Sequence, residues 1–403
     1  MSTGNARRKR LQVLASAAIG LLLVGGMSMQ AHADSTRSQQ WYLDAMHAEE
    51  MWRTSTGKGI TVAVIDTGVD PNNPDLKGRV LDGLDLAPSS RSGDEHTDYD
   101  GHGTGMAGLI AGTGAYGGGN GAFGLAPGAK ILPVRMPAKD DGNGFAGPSF
   151  LGKAIRYAAD SGAQVINISA GTTITAPQLT AAVKYALDHG SLVFAAVGNS
   201  GDKGNSVEYP AATPGVVGVA AVGKNLRRTS WSQYGSQVDI SAPGEDMVHA
   251  CGGQTGLCKG SGTSDATALA SASAALIWSK HPTWTNYQIL RVMLNTIGAP
   301  TDGAKRNDSI GYGIVRPRIA LRDPGDTGPA HAFPLQDFPA TAPSTQGAAS
   351  KEPAAQAKGD DTAAEASSHG NDRGILWLAL GSAVIVGGAV TAAVIAKRRR
   401  SLA

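Results

Sequence analysis

Short apolar runs alternate with amphipathic segments along the central part of this chain. The runs "ITVAVID" (60–66), "AKILPVRM" (129–136) and "SLVFAAVGN" (191–199) predict buried strands, and "SFLGKAIRYAADSG" (149–162) has helical spacing and ends at a glycine. Strands that are buried on both faces and separated by helices are typical of a parallel sheet in an α/β domain. Such a sheet keeps its functional residues at the carboxyl ends of its strands. We therefore look for chemistry at those ends.

The two ends of the chain carry apolar segments of a different kind. Residues 1–33 combine a basic start, an apolar run and "AHA" at 31–33, which predicts a secretory signal peptide. An uncleaved N-terminal anchor is the alternative. Residues 374–396 are apolar and uncharged, and a basic tail follows at 397–403. That length suits a transmembrane helix, and the basic residues favour a cytoplasmic tail. The predicted location is the cell membrane, single-pass, with the preceding domain outside.

A segment of biased composition precedes the predicted membrane helix. Residues 323–373 are rich in Pro, Ala, Ser and charged residues and have no periodic apolar pattern. Such a composition predicts a disordered stalk. One globular domain then remains, at 34–322.

The formal charge and the cysteines exclude some classes of protein. The net charge is +2, but the two basic clusters beside the apolar ends hold 8 of the 35 Lys and Arg. The rest of the chain is acidic, which argues against nucleic-acid binding. The two cysteines, Cys251 and Cys258, lie close together, and outside the cell such a pair predicts a disulfide. Metal binding is the weaker alternative because no CxxC pair is present.

Three polar residues lie at the ends of predicted elements. Asp66 ends a strand, His102 lies in a glycine-framed loop, and Ser264 begins a small-residue helix. Each alone has an ordinary explanation: a turn residue, a structural histidine, a helix N-cap. Together they supply the hydroxyl nucleophile, the imidazole base and the orienting carboxylate of a catalytic triad. Asn199 follows another strand, where its amide could donate to an oxyanion.

The motifs around these residues resemble those of the subtilisin-like serine proteases (subtilases). The matches are "VAVIDTGVD", "DGHGTGMAG", "NISAG", "AAVGNSG", "YPAATPGVVGVAAV", "SAPG" and "GSGTSDATA", in family order. The resemblance implies a three-layer α/β/α sandwich around a mostly parallel sheet, and serine endopeptidase activity. It also implies the roles of further residues. The triad would be Asp66, His102 and Ser264, with Asn199 in the oxyanion hole. Ser169, Ala170 and Gly171 would pair with an extended substrate, and Ala196, Val197 and Gly198 would line the pocket for the residue before the cleaved bond.

The order of segments is most similar to that of the mycosins, membrane-anchored subtilases associated with type VII secretion in actinobacteria. That resemblance implies exported protein or peptide substrates and a secretion membrane complex as partner. A structural component of such a complex, with weak or dispensable proteolysis, is the alternative function.

The chain departs from the subtilase pattern in two of these motifs. Gly105 stands where the family commonly has a second histidine, and "GTSDATA" replaces "GTSMAAP", which introduces Asp265 and Ala268. These departures leave substrate specificity and rate open. No cofactor is expected to be required for catalysis. Calcium is common in the family, but no clustered carboxylates in the sequence assign a site.

Overall fold

The computed structural model describes residues 35–137, 147–251 and 256–335. The predicted signal peptide, the predicted stalk beyond residue 335, the predicted membrane helix (374–396) and the basic tail lie outside the described residues. Within the described ranges, no helix combines the length and the apolar character that crossing a bilayer requires.

Strands and helices alternate along the described chain. The strands are β1 Thr61–Asp66, β2 Leu84–Asp85, β3 Lys130–Arg135, β4 Val165–Ile168, β5 Leu192–Ala196, β6 Val217–Val222, β7 Ile240–Pro243, β8 Met247–Ala250 and β9 Leu257–Gly260. The helices are α1 Thr36–Gln39, α2 Trp41–Ala45, α3 Ala48–Trp52, α4 His102–Ala111, α5 Tyr116–Gly119, α6 Pro148–Asp160, α7 Pro177–Asp188, α8 Thr263–Lys280, α9 Asn286–Asn295 and α10 Pro317–Arg322. A short 3-10 helix lies at Pro74–Leu76.

Seven of the strands form one sheet in the order β2-β3-β1-β4-β5-β6-β7, and all neighbouring strands are parallel. After β1 the chain builds one side of the sheet with β3, then returns to place β4 on the other side of β1. The carboxyl end of β1 therefore lies at the point where the strand order reverses. Ligands of open α/β sheets bind at this point.

Alternate residues of β1 face different helical layers. Val62 and Val64 belong to a core that also contains residues of α4 and α8. Ala63 and Ile65 belong to a second core with residues of α6 and α7. The parallel sheet is thus covered by helices on both faces, and the predicted three-layer α/β/α sandwich is confirmed. Two-sided coverage explains why the strands are apolar without alternation.

The segment before β1 is tied into the domain by a buried glutamine. Gln40 is fully buried, and its Nε2 donates to the carbonyls of Phe123 and Val248 at 2.8 and 3.0 Å. Its Oε1 accepts the N–H of Phe123 at 3.0 Å. The Tyr42 hydroxyl also donates to Val248, at 2.8 Å. The three helices before β1 (α1–α3), which we call the lead-in helices, are thereby attached to β8.

The folded domain continues beyond residue 322, contrary to the predicted start of the stalk. Arg291 donates to the carbonyl of Ala332 at 2.7 Å, and the Leu335 side chain is 3% exposed. Phe333 packs against both cores. The prediction of disorder from residue 323 is therefore wrong for 323–335. The Pro- and Ala-rich composition predicted disorder because it contains only isolated apolar residues. Two of these, Phe333 and Leu335, pack against the domain.

Candidate active site

Asp66 and His102 meet at the carboxyl end of β1. Asp66 is the last residue of the strand and fully buried, and its Oδ1 lies 2.7 Å from Nδ1 of His102, the first residue of α4. The same Oδ1 accepts the N–H of Thr67 at 2.8 Å. The Asp66 carboxylate raises the pKa of His102 to about 9, against the opposing effect of burial. The pair therefore stabilises an imidazolium, the form that a general base adopts during catalysis.

Asp98, which sequence reasoning missed, holds this pair in place. Its Oδ1 accepts the Thr67 hydroxyl and the N–H of Gly101, both at 2.8 Å. Its Oδ2 accepts the N–H and the hydroxyl of Thr104, at 2.8 and 2.7 Å. One carboxylate thus joins the loop after β1 to the first turn of α4, where negative charge is favourable. The sequence signal that could have identified Asp98 is its position shortly before the predicted start of a helix.

Ser264 lies in the first turn of α8. The helix begins at Thr263, and its N-cap is Gly262, which has an extended backbone (φ −172°, ψ 161°) and makes no side-chain cap. The N-cap explanation of Ser264 is therefore wrong, and its hydroxyl is not used for capping. N–H groups of a first turn have no intrahelical acceptor, and the helix dipole favours negative charge there. Ser264 lines a cavity of about 250 Å³.

Asn199 is oriented by the residue before Ser264. Its Oδ1 accepts the N–H of Thr263 at 2.9 Å and the Thr263 hydroxyl at 3.0 Å. Because the oxygen is engaged there, the amide nitrogen points elsewhere, and a Cβ added at Gly262 would lie 3.6 Å from it. Asn199 lines the same cavity as Ser264. Asn199 thus brings an amide donor to the cavity that Ser264 lines.

The cavity beside Ser264 brings together most of the predicted substrate-binding residues. Those that line it are Ser169, Ala170, Gly171, Ala196 and Gly198. Val197 is the exception: its side chain is fully buried in the core with α6 and α7. Sequence reasoning missed Ser200, Glu208 and Thr263, which also line the cavity.

The departures at Gly105 and Asp265 meet at a third residue, His249 of β8. A Cβ at Gly105 would lie 2.7 Å from Cε1 of His249, so the glycine leaves room for this ring. The ring's Nδ1 donates to the Ala250 carbonyl at 2.8 Å, and its Nε2 lies 3.7 Å from Oδ1 of Asp265. Burial lowers the pKa of His249 and raises that of Asp265 to about 7. Burial therefore favours the uncharged form of each group, which for Asp265 is the main form below about pH 7. Ala268 is fully buried within α8.

The two cysteines lie across the β8–β9 hairpin. Cys251 follows β8, Cys258 lies in β9, and a disulfide joins their sulfur atoms. The bond ties β9, which leads into Ser264, to the strand that carries His249.

One group within the described residues brings three possible metal-ligating atoms within 4.8 Å of one another: Asp82, Glu95 and His96. Two of these side chains already contact the backbone. Glu95 accepts the N–H of Gly83 at 3.1 Å, and Nε2 of His96 lies 3.0 Å from the Leu81 carbonyl. We assign no metal to this group.

Comparison with known proteins places this site in a family. The model of the family described as "Subtilase family" (peptidase S8) matches residues 57–313. The chain belongs to the subtilase family. The family match spans β1 through the segment after α9, so it includes all the site residues described above.

Among curated relatives, the chain is 31% identical over 319 residues to Fervidolysin of Fervidobacterium pennivorans. The match covers 73% of this chain and 45% of Fervidolysin, and the chain spans about half the length of the first curated relatives it matches. Two solved mycosins are also similar. MycP3, a protease from the type VII (ESX-3) secretion system, is 33% identical with a TM-score of 0.60, covering 70% of this chain and 87% of MycP3. MycP1 from Mycobacterium smegmatis is 28% identical with a TM-score of 0.62, covering 77% of this chain and 91% of MycP1.

Proposed function

We propose that this subtilase is a serine endopeptidase whose triad is Asp66, His102 and Ser264, with Asn199 as the oxyanion donor. The observation that carries the proposal is the 2.7 Å contact between Nδ1 of His102 and the buried carboxylate of Asp66. Because Nδ1 is held by Asp66, the other ring nitrogen, Nε2, faces away from Asp66 and is left to act as the base. The proposal is supported by Ser264 and Asn199 lining one cavity, together with residues that follow β4 and β5.

Each group then has one task in the cleavage of a peptide bond. The Ser264 hydroxyl attacks the substrate carbonyl carbon and gives its proton to Nε2 of His102, while Asp66 stabilises the imidazolium. The amide of Asn199 and the N–H of Ser264 donate to the oxyanion. The imidazolium returns its proton to the leaving amine as the C–N bond breaks. Water then hydrolyses the acyl-enzyme by the same route. Extended substrate would pair with the main chain at 169–171.

We further propose that the protease acts on exported proteins in type VII secretion, as an anchored enzyme outside the membrane. The likeness to MycP3, a protease from the type VII (ESX-3) secretion system, supports the secretion role. The apolar segments of the sequence support export and anchoring.

Labelling of the purified full chain with a fluorophosphonate tests the triad. The wild type should be labelled, and Ser264→Ala should abolish labelling because the nucleophile is gone. His102→Ala should slow labelling by a factor of about 10³ or more, since Ser264 then lacks its base. Ser261→Ala, which removes an exposed hydroxyl three residues away, should label like the wild type.

A folded wild-type chain that does not react would contradict the proposal and favour a structural role in a secretion complex. Labelling that persists in Ser264→Ala would place the nucleophile elsewhere.

A further inference from the structure

The cavity beside Ser264 has two walls made of backbone. One wall follows β4 and contains Gly171, and the other follows β5 and contains Gly198. Neither glycine presents a side chain to the space between them. A third segment, which precedes β6, contributes Glu208. Mutual hydrogen bonds between Thr172 and Tyr209, at 2.9 and 2.7 Å, hold that segment against the first wall.

The carboxylate of Glu208 lies between the two walls. A Cβ at Gly171 would lie 2.4 Å from its Oε2, and a Cβ at Gly198 would lie 2.7 Å from its Oε1. Both glycines are thus needed to admit this carboxylate. A side chain at Gly171 or Gly198 would displace it. Glu208 therefore occupies a defined place inside the cavity.

A buried amide orients the carboxylate. Nε2 of Gln233, a fully buried residue, donates to Oε1 of Glu208 at 2.8 Å and to the Ser200 hydroxyl at 2.9 Å. The N–H of Gln233 donates to the Gly198 carbonyl at 3.0 Å. The amide is neutral, so it orients the carboxylate through hydrogen bonding alone. Among the described residues that line the cavity, Glu208 is the one with an ionisable side chain.

We propose that Glu208 makes this subtilase select substrates with Arg or Lys directly before the cleaved bond. The proposal rests on the proposed function, because it takes Ser264 as the nucleophile beside the cavity. A basic side chain in the cavity would offset the charge of Glu208 through charge-assisted hydrogen bonds. An apolar side chain would displace water from the carboxylate without supplying new hydrogen bonds. An acidic side chain would be repelled by the charge of Glu208. The expected preference for Arg or Lys over Leu is at least about tenfold in kcat/KM.

The test uses the purified full chain and a series of peptides that differ only in the residue before the cleaved bond: Arg, Lys, Gln, Leu or Glu. The wild type should cleave the Arg and Lys peptides with the highest kcat/KM. Glu208→Gln keeps the shape of the side chain and removes its charge. It should lower kcat/KM for the Arg and Lys peptides by about tenfold or more and raise it or leave it unchanged for Leu.

Two controls separate charge in the cavity from other effects. Asp202→Asn removes the same charge from an exposed position of the loop after β5, and it should leave the Arg-to-Leu ratio unchanged. The rate of fluorophosphonate labelling should also be similar in the wild type and Asp202→Asn, because Asp202 is not among the residues that line the cavity.

The outcomes distinguish the two proposals. A wild type that is labelled but cleaves the Leu peptide as well as the Arg peptide overturns the charge selection alone, without any variant. An Arg preference that persists in Glu208→Gln also overturns it. A wild type that is not labelled overturns the proposed function and the charge selection with it.

Discussion

Asp265 shows how one residue changes the electrostatics next to the proposed nucleophile. It follows Ser264 directly, it is 4% exposed, and its Oδ1 has no hydrogen-bond partner among the described atoms. Burial raises its pKa to about 7, although His102 acts in the opposite direction. Tyr42 and Asp66 are the other ionisable groups that interact with it electrostatically, besides the nearby His249. Below about pH 7 the carboxyl group is therefore mainly protonated and adds little negative charge beside Ser264.

The raised pKa predicts a pH-dependent cost of Asp265. The folded state favours the protonated form of the carboxyl group. The group therefore destabilises the fold increasingly as the pH rises from 3.8, the ordinary pKa of an Asp side chain, to about 7, its pKa in the folded protein. Above that the cost is constant. The free energy of unfolding of Asp265→Asn relative to the wild type should therefore increase across this window, by at most about 4 kcal/mol. Denaturant unfolding at pH 4 and pH 8 measures the change.

Asp302→Asn is the control for this prediction. Its carboxylate accepts hydrogen bonds from Asn307 and Ala304, which lower its pKa. Its contribution is stabilising above the ordinary pKa, so the substitution should have the opposite pH trend. A stability difference for Asp265→Asn that does not vary with pH would contradict the electrostatic explanation.

At the scale of elements, the lead-in helices and β8 form a support for the site. β8 carries His249, which lies between Gly105 of α4 and Asp265 of α8. The strand belongs to a separate two-stranded hairpin and not to the central sheet. Gln40 and Tyr42 therefore supply part of its attachment, through the carbonyl of Val248.

Loss of the buried Gln40 amide should weaken this support. Gln40→Leu has a similar size but leaves the N–H of Phe123 without its acceptor and the carbonyl of Phe123 without this donor, while the carbonyl of Val248 keeps the Tyr42 hydroxyl. We expect a loss of about 2–3 kcal/mol in the free energy of unfolding, measured by denaturant titration. Gln178→Leu, at an exposed position of α7, should change stability by less than about 0.5 kcal/mol. Equal effects of the two substitutions would show that the buried hydrogen bonds contribute nothing specific.

At the scale of the whole molecule, the C-terminal boundary of the domain matters for stability. The segment 323–335 contacts α9 at several points: Thr285, the N-cap of α9, donates to the Ala330 carbonyl at 2.8 Å, and Asn295 donates to the Asp326 carbonyl at 2.8 Å. Phe333 and Leu335 of the same segment pack against the hydrophobic cores. The segment therefore connects this helix to the core of the domain.

Removal of this segment should destabilise the domain. We compare two proteins that begin at residue 34 and end at residue 344 or residue 322. The shorter one exposes the surface covered by the half-buried Phe333 and the buried Leu335. Full burial of a side chain of this size contributes roughly 1.5–3 kcal/mol, and partial burial contributes less. Its free energy of unfolding should therefore be lower by about 3 kcal/mol or more. Coincident unfolding curves would show that the domain ends at α10.

The sequence alone determined the α/β fold class and the identity of the candidate triad. The fold class follows from local periodicity, because strands covered on both faces must be apolar throughout. The triad follows from short motifs, in which residues such as Asp66 and His102 lie at the ends of recognisable elements. Both signals are contained within a few neighbouring residues, so no tertiary information is needed to read them.

The tertiary structure alone decided which distant residues share a site. Glu208 reaches the cavity because the segment before β6 is held against the wall after β4. His249 fills the space at Gly105 because the lead-in helices hold β8 there. Each of these contacts joins residues far apart in the chain, and neither side chain belongs to a periodic pattern or a motif. Their proximity is set by sheet order and packing, which no local pattern encodes.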